Sequence, residues 1–261
     1  MQNSNKLSVI IVNYASKHYL IACIASIYDK IGCDNLEIIV VNNDCREDLG
    51  FLSQYQNLTV VNLANNVGFG TANNIGVKKA TGKYILFLNP DTIIDTANIK
   101  AVFEEMEQDC QLGMVGAKVL DINKNIQKWS FGQEEVNLRS LIMANLPIFK
   151  NKQPIFDNKK ELAWVSGVAF IMSKQLFLQI DGFDEKIFLY YEDVDLCKRV
   201  KKQGKKIKVS SEIVITHFGS GSHNDKNKQK MDYFLAQDYY FKKHFGLIIY
   251  VIVKILRKIF A

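Results

Sequence analysis

A chain of 261 residues accommodates one large domain or two small ones. With 48% hydrophobic and 23% charged residues, and only 3 Pro and 15 Gly, its composition is ordinary for a globular protein and excludes a disordered, collagen-like or multi-span membrane chain. The net charge of +6 is too small a surplus to indicate nucleic acid, and suits polyphosphate ligands or an anionic surface.

The first residues are polar, and the apolar run Leu7–Val12 is shorter than a signal-peptide core and lacks a small-residue cleavage site. Five scattered cysteines, an odd number without a Cys-x-x-Cys pair, point to a reducing compartment, so the expectation is a cytoplasmic chain. No stretch reaches the about 20 apolar residues that spanning a bilayer requires.

Leu7–Val12 reads as a strand, followed by a turn and a helix over Tyr19–Tyr28. Leu36–Val41 stops at Asn42-Asn43-Asp44, and Leu58–Leu63 stops at Ala64-Asn65-Asn66. Thr71–Ala80 reads as a helix, and Tyr84–Leu88 as a fourth strand ending at Asn89-Pro90-Asp91. Strands with no wet face, alternating with helices, imply a mostly parallel sheet covered on both sides. Such sheets bind ligands beyond the carboxyl ends of their strands, where these Asn and Asp clusters fall. Ala97–Gln108 then reads as a helix and Gly113–Leu120 as a strand, while Asn123–Asp157 is weakly patterned, an excursion over the sheet. Trp164–Met172 is a mixed strand, a helix starts near Glu192, and Glu212–Thr216 is a further strand. With neither repeat nor linker, residues 1–240 read as one domain, more regular to about residue 120 than beyond it. Residues 241–261 form a basic amphipathic C-terminal helix, suited to a membrane interface or to packing on the domain.

Several segments can carry chemistry. Asn65–Gly70 lacks the third glycine of a dinucleotide fingerprint, since position 73 is Asn73. Gly68 and Gly70 therefore serve either a phosphate-binding turn or a plain strand-to-helix turn with positive φ. Asp91, at a strand end, suits Mg²⁺ or Mn²⁺ held mainly by substrate phosphates, or else caps a turn. Gly182–Val200 is the densest constellation. Leu196, Cys197 and Val200 follow Asp193 at helical spacing, which puts this acid near a helix start on its apolar face, behind Tyr190 and Tyr191, where a general base could sit. Surface acids there would merely complement the helix dipole. His217 ends a strand before the flexible Phe218–Ser222, where a metal or diphosphate contact rivals a structural role.

Together these residues resemble glycosyltransferase family 2 of the GT-A fold, the nucleotide-diphospho-sugar transferase fold, and especially its rhamnosyltransferase-like branch in bacterial surface polysaccharide synthesis. The resemblance runs from Leu7 to Ser222. It rests on Val12-Asn13-Tyr14, on Val41-Asn42-Asn43-Asp44, on Asn66-Val-Gly68-Phe69 with Asn73-Asn74, on Asn89-Pro90-Asp91, and on Gly182-Phe-Asp184 with Tyr191-Glu-Asp-Val-Asp195.

The resemblance implies an inverting transfer of a sugar, rhamnose by branch, from a dTDP- or UDP-sugar to a hydroxyl of a growing, lipid-linked glycan at the inner face of the cell membrane. Asn13, Tyr14, Asn42, Asp44, Asn66, Gly68, Asn73 and Asn89 would then contact the nucleotide, and Asp91 and His217 would hold Mn²⁺ or Mg²⁺. Asp193 would be the base, with Trp164, Gly167, Asp184, Tyr191 and Glu192 on the acceptor side. Where the family has a base-recognising Asp this chain has Asn42, and Asp44 is the candidate to take over that contact. A sugar-phosphate nucleotidyltransferase would instead show a Gly-rich basic loop between Asn13 and Leu20, which is not there. A degenerate nucleotide-binding or membrane-scaffold protein would have no need of Asp91, Asp193 and His217 together.

Overall fold

The structure is a computed structural model, and it describes residues 6–145, 156–219 and 225–260. Ten strands and seven helices follow one another along the described residues. In chain order they are β1 (Leu7–Asn13), α1 (Lys17–Ile31), β2 (Leu36–Asn42), β3 (Leu58–Asn62), α2 (Phe69–Lys79), β4 (Tyr84–Leu88), β5 (Thr92–Ala97), α3 (Ile99–Gln108), β6 (Leu112–Leu120), β7 (Phe131–Gly132), α4 (Leu138–Asn145), β8 (Trp164–Val165), β9 (Ala169–Ser173), α5 (Lys174–Gln179), α6 (Glu192–Lys202), β10 (Lys206–His217) and α7 (Lys226–Phe260).

Eight strands form one sheet in the order β3-β2-β1-β4-β9-β6-β10-β5, and β7 pairs with β8 in a small ribbon. The β3-β2-β1-β4 half is parallel, as expected from strands that are apolar on both faces. Alternation along each strand divides the core: Val9, Ile11, Ile38 and Val40 pack on the α1 and α3 side, whereas Ile10, Val12, Ile39 and Val41 pack against α2, α5 and α6.

The other half departs from the expected pattern. β9 runs antiparallel to both β4 and β6, and β5 runs antiparallel to β10. The expected mixed strand Trp164–Met172 is divided: its first two residues pair with β7 and only Ala169 onward enters the main sheet. The run read as the start of a helix at Ala97 is preceded by an edge strand, and the helix begins at Ile99 behind the cap Asn98, whose side chain accepts from the Ala101 N–H.

These directions converge on one edge. β1, β2, β4 and β10 all end there, and β5 and β9, being antiparallel, begin there. The turn 89–91, the segment 166–168 and His217 are thereby brought side by side from three distant parts of the chain.

The C-terminal helix starts earlier than expected, at Lys226, and is broken at Gly246 (φ 81°, ψ 179°) into an inner arm and an outer arm. Arg257 of the outer arm reaches back to Gln237 and Asp238 at 2.8 and 2.5 Å, and Val253 is buried against Tyr240 and Phe241, so the arms form a hairpin. The excursion expected over Asn123–Asp157 contains β7 and α4, and residues 146–155 of it lie outside the described part. So do residues 220–222 of the expected Gly-Ser loop.

Candidate active site

Along the convergent edge lies a cleft of about 320 Å³. Nine of the sequence-predicted residues line it: Tyr14, Asn66, Gly68, Asn89, Asp91, Gly167, Glu192, Asp193 and His217.

Asp91 and His217 form one wall. The His217 Nε2 lies 3.3 Å from Asp91 Oδ1, and the Phe218 N–H donates to the Asp91 carbonyl at 3.0 Å, fixing the two strand ends together. Gln127 sets the imidazole. Its Nε2 donates to the His217 carbonyl at 3.0 Å, which turns its Oε1 toward Nδ1, also at 3.0 Å. Nδ1–H is therefore the donor, Nε2 is left facing Asp91, and Trp129 packs against the ring in a T-shaped contact. Two neighbouring ligands at about 2.1 Å from an octahedral cation stand roughly 3 Å apart, so this pair fits a hard divalent ion. Among the described residues no group of three or more His, Cys, Asp or Glu side chains could hold a metal, so the remaining positions would fall to substrate oxygens and water.

Asp193 and Glu192 also line the cleft, from the first turn of α6. Asp193 Oδ2 accepts from the Gly167 N–H at 2.8 Å and its Oδ1 from the Val194 N–H at 2.7 Å. Leu196, Cys197 and Val200 below it are fully buried. Burial pushes both carboxyls above the usual range. For Asp193 the backbone donors offset part of the rise, whereas for Glu192 the neighbouring Asp193 charge adds to it. Glu192 Oε2 and Ser166 Oγ are buried without a hydrogen-bond partner among the described residues. The residues preceding α6, Tyr190 and Tyr191, both have positive φ, at 67° and 62°. Such backbone is costly for aromatic residues and is held here by a Tyr190 hydroxyl bonded to Gln229 and a Tyr191 hydroxyl bonded to Gln237.

Gly68 at the mouth is required twice over: its φ is 89°, and a Cβ would stand 2.6 Å from the Phe188 carbonyl oxygen. Gly70 differs from expectation. It is helical, and what it provides is close packing, a Cβ there meeting Phe183 at 2.9 Å.

Seven expected site residues lie outside the cleft, each with a local reason. Asn13 donates to Asn42 and Glu47, and Asn42 donates to Asn62 and the Glu47 carbonyl. Asp44 is gripped by Arg46 through two bonds, at 2.7 and 2.6 Å, and this pairing holds its carboxyl below the usual range. Asn73 bonds back to the Phe69 carbonyl inside α2. Trp164 belongs to the β7–β8 ribbon. Asp184 accepts from Tyr239 and Lys243, and Tyr191 packs on Tyr233 and Tyr240, so both face α7.

Conversely, the cleft contains residues for which sequence reasoning offered no role: Asn43, Ser166, Trp129 and Gln229. Asn43 accepts from the Val67 N–H and donates to Asn66, tying the β2 end to the Gly68 turn. Its place in the strand-end cluster was the available signal; Gln127 and Trp129, in the weakly patterned stretch, offered none.

Residues 8–180 match the family model "Glycosyl transferase family 2". The chain is 24% identical over 230 residues to the Escherichia coli rhamnosyltransferase WbbL, covering 83% of this chain and 84% of that protein. It is 25% identical over 201 residues to the Haloferax volcanii low-salt glycan biosynthesis hexosyltransferase Agl10, covering 76% of this chain but 62% of the relative. It is 24% identical to a Mycobacterium tuberculosis N-acetylglucosaminyl-diphospho-decaprenol L-rhamnosyltransferase, covering 67% of this chain and 63% of the relative, so it spans less than two thirds of two of these three relatives. In fold it resembles S. aureus TarS, with a TM-score of 0.61 and 22% identity over 82% of this chain and 37% of TarS. GalNAc-T7 solved with UDP, GalNAc and Mn²⁺ gives a TM-score of 0.63 at 13% identity, over 84% of this chain and 44% of that one. The chain belongs to glycosyl transferase family 2, has the GT-A fold, and is similar within the family to the rhamnosyltransferases of glycan biosynthesis.

Proposed function

We propose that this chain is an inverting glycosyltransferase that moves a sugar from a dTDP- or UDP-linked donor to a hydroxyl of a growing, lipid-linked glycan on the cytoplasmic side of the membrane. The observation that carries the reading is that one cleft is lined both by the Asp91–His217 pair and by a carboxylate held by two backbone N–H groups.

Asp91 and His217 Nε2 would hold Mn²⁺ or Mg²⁺. That ion, when bound, supplies charge neutralisation to the departing diphosphate. The Gly68 turn and Asn66 offer close backbone and amide contact to the nucleotide. Asp193 takes the proton from the acceptor hydroxyl as its oxygen attacks the anomeric carbon from the face opposite the diphosphate, which inverts that centre. A base raised by burial is better matched to a hydroxyl proton than an exposed carboxylate. The rhamnosyl donor is supported by the names of two relatives, one of which names a diphospho-decaprenol acceptor, and the UDP alternative by neighbours solved with UDP and UDP-GlcNAc.

The test is a thermal-shift series with UDP, dTDP, GDP and CMP, each with Mn²⁺, Mg²⁺ or chelator, followed by turnover of the matching nucleotide sugars. Metal-dependent stabilisation by a pyrimidine diphosphate is expected, since a ligand binding only the folded state raises its midpoint. A folded protein that binds none of them overturns the reading.

A further inference from the structure

The hairpin formed by α7 leaves one face without a partner among the described residues. At 3.6 residues per turn, Ile248, Val251, Ile255 and Ile259 of the outer arm form a stripe on the side opposite the buried Val253. They are 77%, 44%, 55% and 67% exposed. Lys254 and Lys258 border the stripe and are exposed too, while Arg257 turns inward to Asp238. From Leu247 to Phe260 there are three basic residues and no acidic one.

We propose that this face is a docking surface for an anionic lipid bilayer, with the outer arm lying in the interface and the two lysines among the headgroups. Three observations select a membrane. A stripe of branched aliphatics bordered by cations matches both layers of an anionic bilayer surface, apolar and charged. A second copy meeting this one along the stripe would bring Lys254 and Lys258 against their own kind. Among the described residues no helix is long and apolar enough to cross a membrane, so the arm lies on the surface.

The hairpin also fixes what the surface would hold. Asp195 of α6 accepts from Lys243 at 2.6 Å and His244 at 2.7 Å, and Asp184 accepts from Lys243 at 2.7 Å. The arm is therefore clamped to the helix that begins with Glu192 and Asp193. Gln229, in the first turns of the inner arm, lines the cleft. A bilayer docked on the hairpin would lie on the same element that closes the cleft's rim, a placement suited to an acceptor carried by the membrane. The docking itself does not depend on the transferase reading.

The test is flotation of the full chain with vesicles of phosphatidylcholine alone or mixed with phosphatidylglycerol, alongside light scattering for oligomeric state. The wild type is expected to float with the anionic vesicles and far less with the neutral ones. Lys254→Glu with Lys258→Glu should weaken this about thirtyfold or more. Ile248→Asp with Ile255→Asp should weaken it roughly a hundredfold or more, with the melting temperature unchanged because both sites are exposed. Absence of binding to anionic vesicles, or binding untouched by both double variants, overturns the proposal. So does a dimer that the Ile variants dissolve in a protein that ignores lipid.

Discussion

Asp195→Asn tests how α6, the helix that begins with Glu192 and Asp193, is held. Asp195 is fully buried, and its carboxylate receives Arg199 at 2.7 Å, Lys243 at 2.6 Å and His244 at 2.7 Å. Burial alone would raise its pKa, but His244, Arg199 and Lys243 hold it well below the usual carboxylate range. An amide of the same shape removes the negative charge and leaves the cations facing one another. Breaking a buried ion pair on one side costs about 3–5 kcal/mol. Lys243 keeps Asp184, and the Arg199 and Lys243 side chains are 17% and 26% exposed, so the lower end, about 3 kcal/mol, applies. For a chain of this size that is a fall of roughly 6–12 °C in melting temperature. The assay is thermal unfolding followed by circular dichroism at pH 7, wild type against Asp195→Asn. The sign with pH follows from the depressed pKa: the stabilisation is fully present above the unfolded value of about 4 and is lost only as pH falls from there through the folded value. A loss under about 1 kcal/mol at pH 7 would refute the claim that this cluster clamps the hairpin to α6.

Asp193→Asn should abolish sugar transfer while leaving nucleotide binding intact; near-normal turnover would remove it from the role of base. Asp91→Ala should lose the metal-dependent part of nucleotide affinity, and equal affinity with and without chelator in the wild type would contradict the metal assignment. Gln127→Leu should free the His217 ring to exchange its proton between Nδ1 and Nε2, read directly from the imidazole ¹⁵N shifts without substrate or metal. A wild-type ring protonated on Nε2 would overturn the orientation derived from the two Gln127 bonds. Gly68→Ala should sharply reduce nucleotide binding, because the added methyl meets the Phe188 carbonyl in backbone that already has positive φ; binding within a factor of two of wild type would show that the turn relaxes easily.

The parallel half of the sheet was legible because burial on both faces leaves a local mark, a continuous β-branched run ending in turn residues. The rule that ligands gather at strand ends then located Asn66, Asn89 and Asp91. β5 left no such mark. Thr92-Ile-Ile-Asp-Thr-Ala97 is an edge strand whose partner β10 lies more than a hundred residues on, and its few apolar residues run straight into α3. The antiparallel placement of β9 is likewise set by pairing with β4 and β6. Asp184, Asp195 and Tyr191 show the limit for sites. In the sequence they stand in the same motif as Asp193, and only the hairpin 40 to 60 residues away diverts them to α7.

That diversion explains a feature that the motif alone leaves puzzling, namely why so many acids crowd the start of one helix. The helix dipole favours acids there but does not distinguish among them. In the structure they divide by direction. Asp195 points at the cations of α6 and α7 and stays ionised, whereas Glu192 and Asp193 lie at the cleft, where among the described residues no cationic side chain bonds to them and burial raises both. The same few residues thus anchor the helix with one carboxylate and hold another at the cleft with a raised pKa, as the proposed base requires. Exchanging these environments would undo both the anchor and the proposed base: a salt-bridged Asp193 would be too weak a base, and an unpaired Asp195 would release the hairpin. Asp193 takes its hydrogen bonds from backbone N–H groups of Gly167 and Val194, which orient the carboxylate without putting a formal positive charge on it.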